Sequence, residues 1–249
     1  MFHLGAFRAA SVASPGLQTI AAVREEMFFT NGPDFRVPEG LPHLIGAAAL
    51  LNAATGLRAQ LQSPSLRVLA NLDIEPLVNA LVFGSPPEQA FHPDSPNPLT
   101  PDEALNFAVV ETAGAIVCHG LIFLADGPQQ PVTGNIFTVQ ATGASALAAG
   151  AWVNSNLTFA QVLPAGTYQV VGMRARGANL VAARLVFPEQ VARPGVLAVN
   201  AIGDLDPWTA RYGRTGVFGE FPHTNPPTID CLGTVDGAQT VLLDLIKVR

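Results

Sequence analysis

An internal repeat at about half the chain length constrains the fold of this 249-residue sequence more than any other feature. A proline-x-glycine turn followed by an apolar run occurs at Val37–Ala49 and again, 126 positions later, at Leu163–Ala175. Two shorter matches follow in chain order at an offset of 124: Ala59–Pro64 with Ala183–Pro188, and Val117–Ile122 with Val241–Ile246. Ordered matches at one spacing predict two copies of one structural unit. The alternative is chance recurrence of glycine, proline and aliphatic residues.

Short apolar runs predict that both copies are built from strands, because each run is stopped by Gly, Pro, Asn or Asp. The predicted strands are Leu66–Leu72, Phe107–Val110, Ala115–Leu124, Asn135–Gln140, Tyr168–Met173, Val181–Phe187, Gly195–Asn200 and Thr240–Val248. Three segments favour helices: Leu17–Met27, Asp73–Val82 and Pro101–Leu105. Many short strands at this spacing are typical of a sandwich or jelly roll. We therefore predict an all-β fold with a few short helices.

Charged residues are scarce, at 13%, although the chain has 49% hydrophobic residues and a mean hydropathy of +0.32. No window approaches the 18 or so consecutive apolar residues of a membrane-spanning helix, so we expect none. The net charge of −6 argues against electrostatic binding of nucleic acid.

The distribution of charge is uneven along the chain. No lysine or arginine lies from Val68 to Met173, and no charged residue of either sign lies from Gly127 to Met173. Two interpretations stand side by side. Either this region is packed in part against another subunit, or it forms a surface that stays hydrated through amide and hydroxyl groups.

Proline marks one segment as a loop. Ser85–Pro101 contains six prolines in 17 residues, which removes backbone donors and fixes φ, so we predict a surface loop there. With the repeat, this gives two domains. Residues 1–126 are predicted to form a first jelly-roll β-sandwich that carries this loop, and residues 127–249 a second one.

The turn-and-strand pattern Leu163-Pro-Ala-Gly-Thr-Tyr-Gln-Val-Val-Gly172 and its counterpart Val37–Gly46 carry a resemblance to a known family. Two tandem β-sandwiches, each with a proline-rich loop late in its sequence, resemble the double-jelly-roll major capsid proteins of tailless icosahedral viruses, including phages. The resemblance implies a structural protein that assembles as homotrimers of pseudo-hexagonal outline. These trimers would tile an icosahedral shell.

The same resemblance implies where the protein acts and what it binds. Its partners would be other copies of itself, neighbouring capsomers and other capsid proteins, with no small-molecule substrate. It would be assembled in the host cytoplasm and would reside in the virion shell. The N-terminal segment, with Arg8, Arg24 and Arg36, would face the shell interior near an internal membrane or the genome. The alternative is an ordinary chain terminus.

The sequence contains no strong catalytic or metal-binding motif. Cys118 and His119 are neighbours in one predicted strand, so their side chains point to opposite faces and cannot form a Cys–His dyad. We interpret His119 as a hydrogen-bonded core or interface residue, and Cys118 and Cys231 as small buried hydrophobes. Asp204 and Asp206 offer a cation too few oxygens and favour a turn. We predict no enzyme and no catalytic, cofactor-binding or metal-binding residues.

A second hypothesis is a carbohydrate-binding or adhesive β-sandwich module. Trp152, Trp208 and Tyr212 could form a sugar-binding platform, with Arg211 and Arg214 beside the latter two. The competing interpretation places these aromatic side chains in the core or in subunit contacts.

Overall fold

The structure is a computed structural model. It describes residues 1–23, 35–51, 56–67, 72–74, 76–77, 92–144, 146–198 and 210–248. The fold is all-β, with 57% strand and almost no helix. Curled antiparallel sheets form half-barrels, an arrangement consistent with a β-sandwich. The predicted all-β class is therefore confirmed.

The chain forms two compact units. The N unit comprises Gly5–Pro128, and the C unit comprises Gln129–Arg249 together with the first four residues, Met1–Leu4. The N-terminal segment thus belongs to the unit that is distant from it in sequence. The assignment of residues 1–126 and 127–249 to two jelly rolls stays a prediction.

The N unit contains one eight-stranded sheet and a short helix. Its elements are β1 (Phe2–Ala22), β2 (Phe35–Arg36), β3 (His43–Leu51), β4 (Gly56–Gln62), α1 (Pro64–Arg67), β5 (Leu72–Ile74), β6 (Pro76–Leu77), β7 (Asn97–Pro98) and β8 (Ala104–Ala125). The strand order is β5-β4-β8-β3-β6, with β1 and β2 paired to β8 and β7 paired to β3. The long strand β8 is therefore central.

The C unit contains a five-stranded and a four-stranded sheet. Its strands are β9 (Ile136–Thr142), β10 (Val153–Asn156), β11 (Thr158–Phe159), β12 (Thr167–Arg176), β13 (Leu180–Val186), β14 (Gly195–Leu197), β15 (Gly219–Pro222), β16 (Thr228–Gly233) and β17 (Thr240–Lys247). The larger sheet has the order β11-β9-β17-β12-β15, and the smaller one β10-β16-β13-β14. Leucine, valine and aromatic side chains of both sheets form the core.

The sequence repeat has a structural counterpart in a β-bulge. The proline-x-glycine turn precedes β3 in the N unit and β12 in the C unit, and each strand pairs with the last strand of its unit. The register shifts between Leu44 and Gly46 in β3 and between Val170 and Gly172 in β12. A bulge is a specific irregularity that bends a strand. The aligned residues therefore share the same distortion as well as the same composition.

A second aligned segment also takes the same place in each unit. Strand β4 lies between β8 and β5, and its Ala59 pairs with Val109. Strand β13 lies between β16 and β14, and its Ala183 pairs with Cys231. In the N unit, the single strand β8 makes the pairings that β16 and β17 divide between them in the C unit.

The structure corrects the helix predictions. Residues 17–22 of the candidate Leu17–Met27 belong to β1, and the described residues of Asp73–Val82 belong to β5 and β6. Conversely, Leu66 and Arg67 of the predicted strand Leu66–Leu72 lie in α1. The helix propensity of these segments is weak, and hydrogen bonds with neighbouring strands stabilise the extended conformation instead. The predicted strands from Phe107 onward coincide with strands of the structure to within a few residues at their described ends, except that Phe107–Val110 and Ala115–Leu124 are parts of the single strand β8.

Pro101–Leu105, predicted as a helix, is a turn that leads into β8. The Glu103 carboxylate accepts hydrogen bonds from the backbone N–H of Thr100 and of Ser65, both at 3.0 Å. These bonds connect the turn to α1. They also engage the Glu103 side chain, whose negative charge is a sequence signal for the first turn of a helix. Of the predicted loop Ser85–Pro101, residues 85–91 lie outside the described part. The remainder forms turns and the two-residue strand β7.

Candidate functional site

The most connected polar site of the C unit is built around Asp244 in β17. Its carboxylate is fully buried and forms a bidentate pair with Arg211, with Nε–Oδ2 at 2.6 Å and Nη2–Oδ1 at 2.8 Å. The Thr138 hydroxyl donates to Oδ1 at 2.6 Å and the Tyr212 backbone N–H donates to Oδ2 at 2.9 Å. Four donor contacts fix the carboxylate and, through it, residues 211 and 212.

These contacts set the protonation of the pair. Burial acts to raise the pKa of Asp244, but the hydrogen bonds from Arg211, Thr138 and the Tyr212 N–H outweigh it, so this pKa lies below its usual value. The hydrogen bond to Asp244 raises the pKa of Arg211 against the opposing effect of burial. Both groups are therefore ionised at neutral pH, and each serves as the other's counter-charge.

Gly172, at the bulge of β12, makes this close packing possible. A Cβ at this position would overlap Asp244 Oδ2 and would lie 2.9 Å from the Tyr212 nitrogen and 3.0 Å from the Ala210 carbonyl oxygen. Only glycine leaves room for the carboxylate and the 210–212 backbone to approach the strand. The repeated glycine of the sequence motif thus has a packing role in the C unit.

The sugar-binding platform is not assembled by the residues that the structure describes. Tyr212 is 58% exposed, but the adjacent Arg211 is committed to Asp244 and lies 4.6 Å from the Tyr212 ring centroid. Trp152 is buried at 4% exposure beneath Arg184, as the core interpretation expected. Trp208 lies outside the described residues.

A second buried ionic cluster lies in the smaller sheet, around Asp230 of β16. Its Oδ2 accepts hydrogen bonds from Arg184 Nε at 3.0 Å and Arg193 Nη1 at 2.6 Å, and Oδ1 accepts one from Asn154 Nδ2 at 2.8 Å. The Arg184 guanidinium also stacks over the Trp152 ring at 4.1 Å. Buried charges with this many partners are stabilised in place, so we assign this cluster a structural role.

The same cluster anchors the first residues of the chain. Arg184 Nη1 donates to the Leu4 carbonyl at 3.0 Å, and the Leu4 N–H donates to the Arg193 carbonyl at 3.0 Å. The Arg193 N–H donates to His3 Nδ1 at 3.1 Å, and the Phe2 ring packs edge-on against Phe218 with centroids 4.9 Å apart. Residues 2–4 are therefore an integral part of the C unit.

The N-terminal arginines do not form an exposed basic arm in the described residues. Arg8 and Arg36 are half-buried, and Arg36 Nη1 donates to the Asp102 carbonyl at 3.0 Å. Arg24 lies outside the described part of the chain. Contact with lipid or genome through this segment stays a prediction.

The cysteines and His119 are buried, as predicted, and are poor nucleophiles or bases. Cys118 and Cys231 are free thiols, and burial together with the nearby Asp230 charge raises the pKa of Cys231 to about 12. Burial and the Arg8 charge lower the pKa of His119 to about 3, so its ring is neutral. Its Nε2 has no hydrogen-bond partner in the structure, contrary to the expected hydrogen-bonded histidine.

No metal or membrane site emerges from the described residues. They contain no group of three or more His, Cys, Asp or Glu side chains that could hold a metal ion. Asp204 and Asp206 lie outside them. Nor do they include a helix with the length and apolar character needed to cross a bilayer.

An open cleft of about 340 Å³ lies at the Thr167 end of β12. Phe187 and Phe221 line its buried side, and Glu189 and Glu220 are exposed at its rim. Glu220 already accepts a hydrogen bond from Gln169 Nε2 at 3.2 Å. The lining includes no cationic residue to complement the carboxylates, and nothing indicates a particular ligand.

Part of the charge-free stretch of the sequence is exposed, whereas other residues in it, such as Val139, Trp152 and Tyr168, are buried. Exposed amide and hydroxyl side chains occur on three successive strands; they are Gln140 and Thr142 on β9, Asn154 and Asn156 on β10, and Thr158 on β11. We call these five residues the uncharged surface. Since they are exposed on the C unit, their lack of charge does not arise from burial within its core.

Comparison with known protein families, with curated proteins and with solved structures finds no match for this chain. Its strand pairing and surface chemistry therefore supply the grounds for assigning a function.

Proposed function

We propose that this chain is a structural protein that self-assembles, with two tandem jelly rolls, as a trimeric capsomer of an icosahedral viral capsid. The observation that carries the proposal is the strand pairing of the C unit and its recurrence in the N unit. Assembly, rather than catalysis, is its activity, and other copies of the chain are its principal partners.

The pairing of the C unit follows a simple rule. Leaving out the two-residue β11, eight strands remain, and the first pairs with the eighth, the second with the seventh, the third with the sixth and the fourth with the fifth. A long antiparallel hairpin gives this pairing, and rolling it up brings the third strand beside the eighth and the fourth beside the seventh. Both additional pairs are present, as β12–β17 and β13–β16. This pattern supports a jelly roll.

The N unit also has eight strands and repeats part of this pairing, whereas its parallel β3–β6 pair and its β2–β8 pair fall outside the rule. Strands β4 and β5 pair, β3 pairs with β7, and β8 pairs with both β3 and β4. The long strands β1 and β8, which pair with each other, take the places of two strands each. Two copies of one pattern in tandem support a double jelly roll.

Jelly rolls also occur in lectins and cupins, so the fold alone does not assign a function. Two features favour a shell protein. The chain has two units with related strand pairing, and it exposes a surface without charge, which suits contacts between subunits because interface cores are depleted of charged residues. A shell subunit needs several interfaces of about 1,600 Å² each.

The proposal is tested by the mass and shape of the purified full chain. Light scattering after size-exclusion chromatography at micromolar concentration is expected to give a trimer or larger species, and negative-stain micrographs are expected to show hexagonal capsomers or closed shells. A monodisperse monomer with no particles would overturn the proposal. Glycan-array binding that is lost in Trp208→Ala would instead favour the carbohydrate-binding module.

A further inference from the structure

We propose that the uncharged surface of the C unit is a contact face for a second copy of this chain. The inference rests on the proposed function and identifies the surface through which the subunits would associate. It predicts that a carboxylate placed at Gln140 or Thr158 interferes with assembly more than one placed elsewhere on the same unit.

The uncharged surface includes the edge strands of both sheets of the C unit. Strand β10 ends the smaller sheet beside β16, and its Asn156 pairs with Thr228. Two residues later the chain enters β11, which ends the larger sheet beside β9, where Thr158 pairs with Thr142. One short segment therefore joins the edges of both sheets. The end of β9 also meets this edge, because the Ala144 N–H donates to the Ser155 hydroxyl of β10 at 3.1 Å.

Such an edge is normally protected by charge. Edge strands have unpaired backbone groups, and proteins that remain monomeric often place lysine or another charged residue there to prevent edge-to-edge association. Strands β9, β10 and β11 contain no charged residue. Asparagine, glutamine and threonine side chains can donate and accept hydrogen bonds across a contact. The edge is therefore suited to association with another protein surface.

Charge argues that the partner is another copy. The chain has a net charge of −6, so two copies repel one another over most of their surfaces. The five residues of the uncharged surface contribute no charge, so a copy that docks its own uncharged surface there meets no like-charge repulsion at these positions. Charge on the same sheet face begins at Arg174 and Arg176, two strands away from Gln140 and Thr142. About twenty residues of the 127–173 stretch are exposed, on β9, β10, β11 and the loops around them. A basic partner would find no acidic group among the five residues of the uncharged surface.

The test compares two double variants of the full chain that add the same charge at different places. Gln140→Glu with Thr158→Glu puts two carboxylates on the uncharged surface. Thr224→Glu with Asn225→Asp puts two on exposed positions of the loop after β15, in the same unit. All four positions are exposed, so we expect both variants to retain the wild-type melting temperature and circular dichroism. Sedimentation velocity over a concentration series measures assembly.

We expect the variant of the uncharged surface to weaken assembly at least about tenfold, because like charges brought together in an interface are strongly unfavourable. The loop variant should assemble as the wild type does. Equal assembly of all three proteins would overturn the inference and leave the proposed function standing. A wild-type chain that remains monomeric would overturn both. Loss of assembly in both variants would also contradict the inference, because it would reflect total charge rather than this surface.

Discussion

Asp244 shows how one side chain holds together segments that are distant in the sequence. It lies on β17, yet it binds Thr138 of β9 and Arg211 and Tyr212 of the segment that packs against β12. A bidentate arginine–carboxylate pair is among the stronger polar contacts in proteins because both hydrogen bonds are charge-assisted. The environment of this carboxylate therefore affects stability directly.

Replacing Asp244 by Asn is expected to destabilise the C unit by about 3 kcal/mol at neutral pH, since Arg211 loses its buried counter-charge. The folded-state pKa of Asp244 is lowered. Its contribution is therefore present above the pKa of a free aspartate, about 3.9, and is lost as the pH falls through the lower folded value. Urea unfolding of wild type and D244N at pH 7 and pH 2.5 measures this. An unchanged difference at both pH values would contradict the assignment.

Because of His119, we expect the stability of the N unit to decrease at acidic pH. Its folded pKa is about 3, whereas a free histidine has a pKa of about 6.5, so the unfolded chain takes up a proton between these values and the folded chain does not. The free energy of unfolding should therefore decrease as pH falls through this window, by up to about 1.4 kcal/mol per pH unit from this residue. Urea midpoints between pH 4 and 7 should depend less on pH in His119→Leu. Identical slopes would refute the prediction.

At the scale of elements, β1 is unusual because its beginning belongs to the C unit and the rest belongs to the N unit. Phe2 and Leu4 are almost fully buried, and the Leu4 backbone exchanges hydrogen bonds with Arg184 and Arg193. The sequence shows an apolar N-terminal run but contains no local signal for where it docks. Only the tertiary structure supplies the partner.

Truncating Phe2 to Ala should therefore destabilise the C unit, although the residue is more than a hundred positions away from most of it in sequence. Loss of a buried phenylalanine costs about 3–5 kcal/mol. Hydrogen exchange should become faster around Arg193 and Phe218. Val162→Ala is the control, because Val162 is 95% exposed and its truncation should change little. Protection that falls only in the N unit would contradict the assignment of residues 1–4.

At the scale of the whole molecule, the few charged residues are unevenly distributed. Two buried clusters, around Asp230 and Asp244, together use three of the arginines and two of the carboxylates in internal pairs. The uncharged surface of the C unit has neither sign of charge to offer. Contacts made there would depend on shape, amide hydrogen bonds and the exclusion of water.

The contact proposed at the uncharged surface should therefore resist salt. Ionic contacts weaken as the Debye length falls from about 10 Å at 0.1 M to about 3 Å at 1 M salt, whereas uncharged contacts have no such dependence. Light scattering of the assembled protein at both NaCl concentrations is expected to show species of the same mass. Dissociation at 1 M NaCl would indicate that ionic contacts dominate assembly.

The sequence by itself determined the strand content and the internal repeat. Alternating and β-branched runs with glycine and proline stops identify strands because these are local preferences. The turn at Leu163–Gly166 and its counterpart at Val37–Gly40 are visible for the same reason. The helix predictions at Leu17–Met27 and Pro101–Leu105 failed where local preference was weak and neighbouring strands or a side chain supplied other hydrogen bonds.

Only the tertiary structure decided which strands pair and which side chains meet. Arg184 binds the Leu4 carbonyl across 180 positions of sequence, and Thr138 binds Asp244 across 106. Such contacts form when strands that are distant in sequence become neighbours, and pairing of this kind has no local sequence signal. The fate of the charge-free stretch was undetermined for the same reason. Its composition allowed either packing against another subunit or a hydrated surface, and the pairing of β9, β10 and β11 leaves Gln140, Asn156 and Thr158 exposed on the C unit.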